Sequence, residues 1–238
     1  MLVCQFQHRG AEGILYLIVD YQHITHPRSR TIKIKVEHPG KVVVVTPPKF
    51  PTSKVEEFIR RSEPWIKRQL EKLKQARPFG ETATTAMIFG KEYQKKPILQ
   101  NNQKIGVAIS GKELIINPVQ LTEVSVSNEL KRFLRSTAEK YIVPRTKQLA
   151  TKMGVTFGTI TLRQQKTRWG SCSSRGNLNF NWKLVHCPPE VIDYVIIHEL
   201  AHRTQMNHSQ KFWRLVEQYD PEYRIHTGWL KRHGMSLS

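Results

Sequence analysis

The pentapeptide His198-Glu199-Leu200-Ala201-His202 constrains this chain more than any other stretch, because its chemistry needs a helix. Residues four apart on an α-helix lie about 40° apart around the axis and roughly 6 Å along it. Two imidazoles so placed can reach one metal ion from the same face. Glu199 lies on the flank of that face, close enough to hold a metal-bound water. Zinc lowers the pKa of such a water to about 7, and a carboxylate can then take its proton. The neighbouring residues supply the helix. Pro188 and Pro189 suit its start, and Val191, Ile192, Val195 and Ile196 form an apolar stripe.

A catalytic zinc site takes three protein ligands and keeps one position open. Helix geometry forbids a third ligand from the same turn, so the chain must stop and return. His208 follows His202 by six residues, and Gln205-Met206-Asn207 is placed to make the reversal. Asn207 is the residue there best suited to a left-handed conformation. Ser209 reads as the cap of a new helix carrying Phe212, Trp213, Leu215 and Val216. Glu217 on that helix is the competing third ligand, or else a group that orients a ligand histidine or a solvated surface charge.

These residues carry a resemblance. The runs Arg168-Trp169-Gly170-Ser171-Cys172-Ser173-Ser174, Asn177-Leu178-Asn179-Phe180-Asn181-Trp182 and Pro188-Pro189-Glu190-Val191-Ile192-Asp193-Tyr194 precede the histidine helix, His208 and Phe212-Trp213. Together they closely resemble the YgjP-like metallopeptidases, zincins related to SprT-like and WLM domains. The match is dense from Arg163 to Gly234, looser from Arg30 to Lys74, and weak between Gln75 and Leu121. The resemblance implies zinc ligands His198, His202 and His208, with Glu199 as catalytic base. Metzincins share the spacing to the third histidine but place Gly at the sharp turn, where this chain has Gln205.

The 238 residues can bury a real core, and the 39% hydrophobic content excludes a disordered tail. The formal net charge of +19 attracts polyanions, which leaves non-specific nucleic-acid binding open beside an ordinary solvated surface. The lysines and arginines are dispersed, with no helix-turn-helix or zinc-finger spacing among them. Three scattered cysteines, Cys4, Cys172 and Cys187, argue against a disulfide framework and for a reducing compartment. Cys172 is either a thiol near the site or a small packed residue in a tight loop. The start of the chain lacks a basic segment followed by a long apolar run, so a cytoplasmic, non-membrane protein is expected. Ile14 to Val19 is too short to span a bilayer and reads as a strand. No feature sets an oligomeric state.

The expected class is α+β: a mainly β N-terminal region, 1–120, with a helical insert at about 53–75, then a zincin-like catalytic domain, 121–238. Ile32, Ile34 and Val36 alternate with charged residues as a half-buried strand, Pro39-Gly40 turns the chain, and Val42 to Val45 return. Ser53 with Glu56 fits a capping box, and Pro64 is expected to restart the helix. Residues 76–86 read as a linker. Strands around Glu92 to Leu99, Ile105 to Ile109 and Glu113 to Ile116 suggest a small meander or barrel. A long helix through Leu130, Leu134 and Ile142 should kink or be interrupted at Pro144 and close at Gly154. Thr159 to Arg163 and Leu178 to Trp182 read as strands beside the metal helix. The latter is either a substrate-aligning edge strand or a core strand with Phe180 inward.

The function expected from these readings is zinc-dependent hydrolysis of a protein or peptide substrate by water that Glu199 activates. The rivals are a DNA-associated protein-processing factor and a non-catalytic zinc module, the latter disfavoured because a structural site needs no base. Arg168, Tyr219, Tyr223 and His226 are candidates for a second oxyanion donor. His226 and His233 otherwise read as surface residues.

Overall fold

The structure is a computed structural model of the full chain, described here for residues 19–37, 40–75, 80–100, 104–165 and 168–237. The expected strand before Val19, Cys4, and the Pro39 half of the first turn lie outside these residues. The chain falls into two compact units, Met1–Arg77 and Pro78–Ser238. The sequence reading drew its division near residue 120.

In the first unit, β1 (Tyr21–Thr25) runs parallel to β3 (Lys41–Thr46), and β2 (Lys33–Glu37) runs antiparallel to it. Strand order is β1-β3-β2. Ile34 and Val36 of β2 pair with Val44 and Val42 and face the core, while Lys33 and Lys35 face away, as period-2 alternation requires. Helix α1 (Thr52–Gln75) lays Val55, Ile59 and Ile66 on these valines. The capping box does not form. The Pro51 carbonyl accepts from Lys54 and Val55, which puts Ser53 inside the first turn. Pro64 sits within α1 without restarting it. Its ring removes a hydrogen bond only from the Arg60 carbonyl, four residues back, and Arg60 is on the solvent face, where water can replace the lost donor.

The second unit opens with a four-stranded sheet ordered β4-β5-β7-β6, from β4 (Thr85–Ile88), β5 (Lys91–Pro97), β6 (Gly106–Ser110) and β7 (Glu113–Asn117). It is not a meander, because β7 inserts between β5 and β6 and runs parallel to β5. Strand β4 occupies part of the stretch read as linker. Ala86, Ile88, Leu114 and Ile116 join one core with Leu130, Leu134, Ala138 and Ile142 of α2 (Glu123–Met153).

Helix α2 is capped by Thr122, whose side chain accepts from Ser125 N, and closed by Gly154 in the left-handed conformation at φ 66°. Pro144 does not break it, and the carbonyl it leaves free, at Lys140, is again on an exposed residue. On the inner side Arg145 grips both oxygens of Asp193 through its Nε at 2.9 and 3.0 Å, tying α2 to α3 (Pro189–Ala201).

The second sheet of this unit positions the site. Strands β8 (Ile160–Arg163), β9 (Gly170–Cys172) and β10 (Leu178–Asn181) order as β8-β10-β9. β10 is parallel to β8 and antiparallel to β9. It is therefore the central strand, with Leu178 and Phe180 fully buried, and the core alternative holds for it. The edge next to the metal helix is β9. Trp182 leaves the strand for a 3-10 turn, Trp182–His186, whose His186 is buried with Nδ1 2.7 Å from the Met87 carbonyl. Burial pushes its pKa down and keeps it neutral. Two short helices, α4 (Gln210–Tyr219) and α5 (Tyr223–Leu237), complete the unit. Among the described residues no helix is long and apolar enough to cross a membrane.

Candidate metal centre

Pro188 is the N-cap of α3 and Pro189 its first residue, where a missing N–H costs nothing. Val191, Ile192, Val195, Ile196, Leu200 and Ala201 are all buried, so α3 runs through the core and its two histidines have little freedom. His198 stands in the last turn and His202 is the C-cap residue. The chain then reverses through the Ala201 carbonyl, which accepts from Thr204 and Gln205. Asn207 is not left-handed. Among the described residues only Lys49 and Phe89 are non-glycines with positive φ. Ring nitrogen to carbonyl contact closes the turn instead, since His202 Nδ1 lies 3.1 Å from the Gln205 oxygen. Ser209 is the N-cap of α4 by position but makes no side-chain capping bond.

This reversal brings His208 to the pair. Each of His198, His202 and His208 offers a ligand nitrogen within 4.8 Å of the others, and ring centroids stand 4.8 to 5.1 Å apart. His198 Nε2 and His208 Nε2 are 3.0 Å apart. Around a tetrahedral ion with bonds of about 2.0–2.1 Å, neighbouring nitrogens stand about 3.3 Å apart, so the donor set fits a metal. A carbonyl can only accept, which makes His202 Nδ1 the donor and leaves its Nε2 lone pair for an ion. Phe212 packs at 4.7 to 4.9 Å from all three rings, and Trp213 stacks on His208. Burial first, then the charges of His202 and His208, push His198 down to about 4. An imidazole kept neutral is one ready to ligate. Glu217 is exposed on α4 and lies outside the cluster.

Glu199 is 6% exposed, and burial pushes its carboxyl up to about 7, against the pull of Arg168 and the Cys172 backbone N–H. A bound dication would draw it down again. The residues that contact it come from the Trp-Gly-Ser-Cys run. A Cβ on Gly170 would stand 2.7 Å from Glu199 Cγ and Oε1, so only glycine lets β9 approach this closely. The ladder explains why Cys172 can reach it. Trp169 O accepts from Asn181 N, and Ser173 N donates to Asn177 O, so these residues face β10. The alternate residues, Gly170 and Cys172, direct their backbone groups to the outer edge, where Glu199 stands. The sequence marked this run by resemblance, but its contact with the carboxylate needed the fold.

The remaining sequence candidates separate. Arg168 is exposed and electrostatically coupled to Glu199. Tyr223 is stacked on Trp213, with ring centroids 5.4 Å apart. His226 is not a surface residue. It is 7% exposed, with Nδ1 2.8 Å from Asp220 Oδ2. His233 is partly buried beside Trp229. The Cys172 thiol is half-buried, lies 3.4 Å from the Ser173 carbonyl, and is outside the histidine cluster. Behind His198, Tyr194 OH lies 3.5 Å from its Nδ1, a long contact on the side away from His208.

A family model described as YgjP-like, metallopeptidase domain, matches residues 30–233. The chain belongs to the YgjP-like metallopeptidase family. The histidine cluster, Glu199 and β9 all lie inside the matched region. No curated protein matches the chain significantly. Two crystal structures of archaeal metallopeptidase zymogens are similar over 37% of this chain. Abylysin of Pyrococcus abyssi is 24% identical, with 93% of its chain covered and a TM-score of 0.32. Jannalysin of Methanocaldococcus jannaschii is 21% identical, with 94% covered and a TM-score of 0.33. As a YgjP-like metallopeptidase, this chain takes protein or peptide as substrate and uses a metal ion.

Proposed function

We propose that the chain is a zinc peptidase in which His198, His202 and His208 hold the ion and Glu199 is the base. The observation that carries this is the convergence of three imidazole nitrogens next to a buried carboxyl that abuts the edge strand β9. Nitrogen ligands in a tetrahedral set suit zinc. When bound, zinc would activate water for attack and polarise the scissile carbonyl as a Lewis acid.

The chain's own residues do the rest. Glu199 takes a proton from the attacking water and delivers it to the departing amide nitrogen. Substrate lies as an added strand along β9, hydrogen-bonded to outward backbone groups that Glu199 leaves open, since the Cys172 N–H is already given to that carboxylate, and this brings a peptide carbonyl beside the base. Phe212 and Trp213 pack against the histidine rings and hold them in place with apolar surface.

The direct test is to incubate the purified chain with a mixed peptide library. Cleavage should stop with a chelator and return with about one equivalent of zinc. A zinc-loaded, folded chain that cuts nothing in the library defeats the reading. The contact with β9 has its own test. Gly170→Ala should lower kcat by roughly 10- to 100-fold, because a displacement near 1 Å at the reacting centre has that scale. Its metal content should be unchanged. Wild-type kcat in that variant would mean that the strand does not position the carboxylate.

A further inference from the structure

The edge strand β9 is bracketed by two arginines. Arg168 precedes it by two residues, with an exposed side chain. Among the described residues its guanidinium makes no hydrogen bond or ion pair, and Glu199 is the acidic group that feels its charge. Arg203, just past α3, stands at the other end. Its Nε donates to the Thr156 carbonyl at 2.9 Å, and a Cβ on Gly176 would meet its Cζ at 2.7 Å. Its charge also acts on the Cys172 thiol.

Apart from Glu199, whose buried carboxyl feels Arg168, no acid of the adjacent elements contacts either cation among the described residues. Asp193 is held by Arg145 at the far end of α3, and Asp220 is held by His226. Glu217 is exposed on α4 and contacts neither arginine among the described residues. Glu199 is buried and belongs to the reaction.

We propose that the site selects acidic peptide segments, with Arg168 reading a substrate carboxylate and Arg203 adding positive potential at the far end of β9. This rests on the peptidase reading above and names its substrate class. A planar guanidinium with free donors matches a carboxylate in a two-pronged contact. Exposure argues against Arg168 as an oxyanion donor. That role calls for donors fixed in a water-excluded site, whereas an exposed guanidinium suits recognition of a side chain arriving from solvent.

The test uses the zinc-loaded full chain and paired fluorogenic peptides from the cleaved set, differing only in Glu or Gln beside the scissile bond. The Glu peptide should be favoured in kcat/KM by about tenfold, the scale of one charge-assisted contact, and through KM. Arg168→Gln should bring the pair within about threefold by raising KM for the Glu peptide alone. Arg168→Lys should restore part of the preference. Equal KM values in the wild type would overturn the proposal. An equal loss of kcat on both peptides would instead assign Arg168 to bond breaking, and also overturns it.

Should the variants fold poorly, salt provides the test. KM for the Glu peptide should rise with ionic strength while that for the Gln peptide stays flat, and parallel curves count against the proposal. Binding without turnover comes from anisotropy of the labelled Glu peptide on the Glu199→Gln chain. Displacement by duplex DNA at concentrations below those of unlabelled acidic peptide would assign the arginines to nucleic acid and overturn the peptide reading. If the wild type cuts neither peptide but the acidic one alone binds, the charge selection stands and the peptidase reading falls.

Discussion

Glu199→Gln is expected to give a folded chain that keeps its metal and loses at least about 100-fold in kcat, the lower end of general-base effects. The substitution preserves shape and burial and removes only the ability to take a proton. The surroundings make this a clean experiment. The carboxyl sits against Gly170 and the Cys172 amide rather than among the ligands, so a neutral amide can occupy the same space without disturbing His198 or His202. Burial has already raised the carboxyl to about 7, so the fold tolerates a neutral group there. Elemental analysis and circular dichroism establish metal and fold, and steady-state kinetics on one cleaved peptide gives the rate. Unchanged turnover would remove Glu199 from the mechanism.

The other large effect is on the metal. His202→Ala should strip most of the ion from purified protein, and His208→Ala should weaken binding sharply, because two imidazoles hold zinc poorly. Glu217→Ala should stay within about tenfold of wild type, the small end of what an outlying partner contributes. The ranking follows from placement. His208 shares a 4.8 Å cluster with the helix pair, and Glu217 is exposed outside it. A competitive chelator titration that ranked Glu217 above His208 would reverse the ligand assignment.

The histidine pair was legible in the sequence because its geometry is local. Once α3 exists, a spacing of four fixes the two rings, and the Pro188-Pro189 start and apolar run announce α3. His208 was legible for the same reason, as a short reversal leaves few places for the chain to go. What failed to show were relations between distant segments. The alternation of Leu178 and Phe180 fits a central strand as well as an edge, and only pairing to both β8 and β9 decides between them. β4 is four residues long, too short for its Ala86–Ile88 alternation to stand out from the threonines before it. The burial of His226 arises from Asp220 across the turn between α4 and α5, where no periodicity signals a partner. Pro144 does not interrupt α2: the rule about helix interiors weighs the lost hydrogen bond, not whether water can reach the carbonyl left behind.

The three candidate ligands do not belong equally to the fold. His198 and His202 stand on a helix whose apolar residues are buried on nearly every face, whereas His208 is exposed on the segment between helices. The helix has its own reasons to form, from packing that owes nothing to a cation. Small metal-dependent modules, by contrast, collapse when the ion is withdrawn. A chain arranged this way is expected to keep its fold when a chelator withdraws the ion, with circular dichroism unchanged, and a loss of helix signal on chelation would count against it.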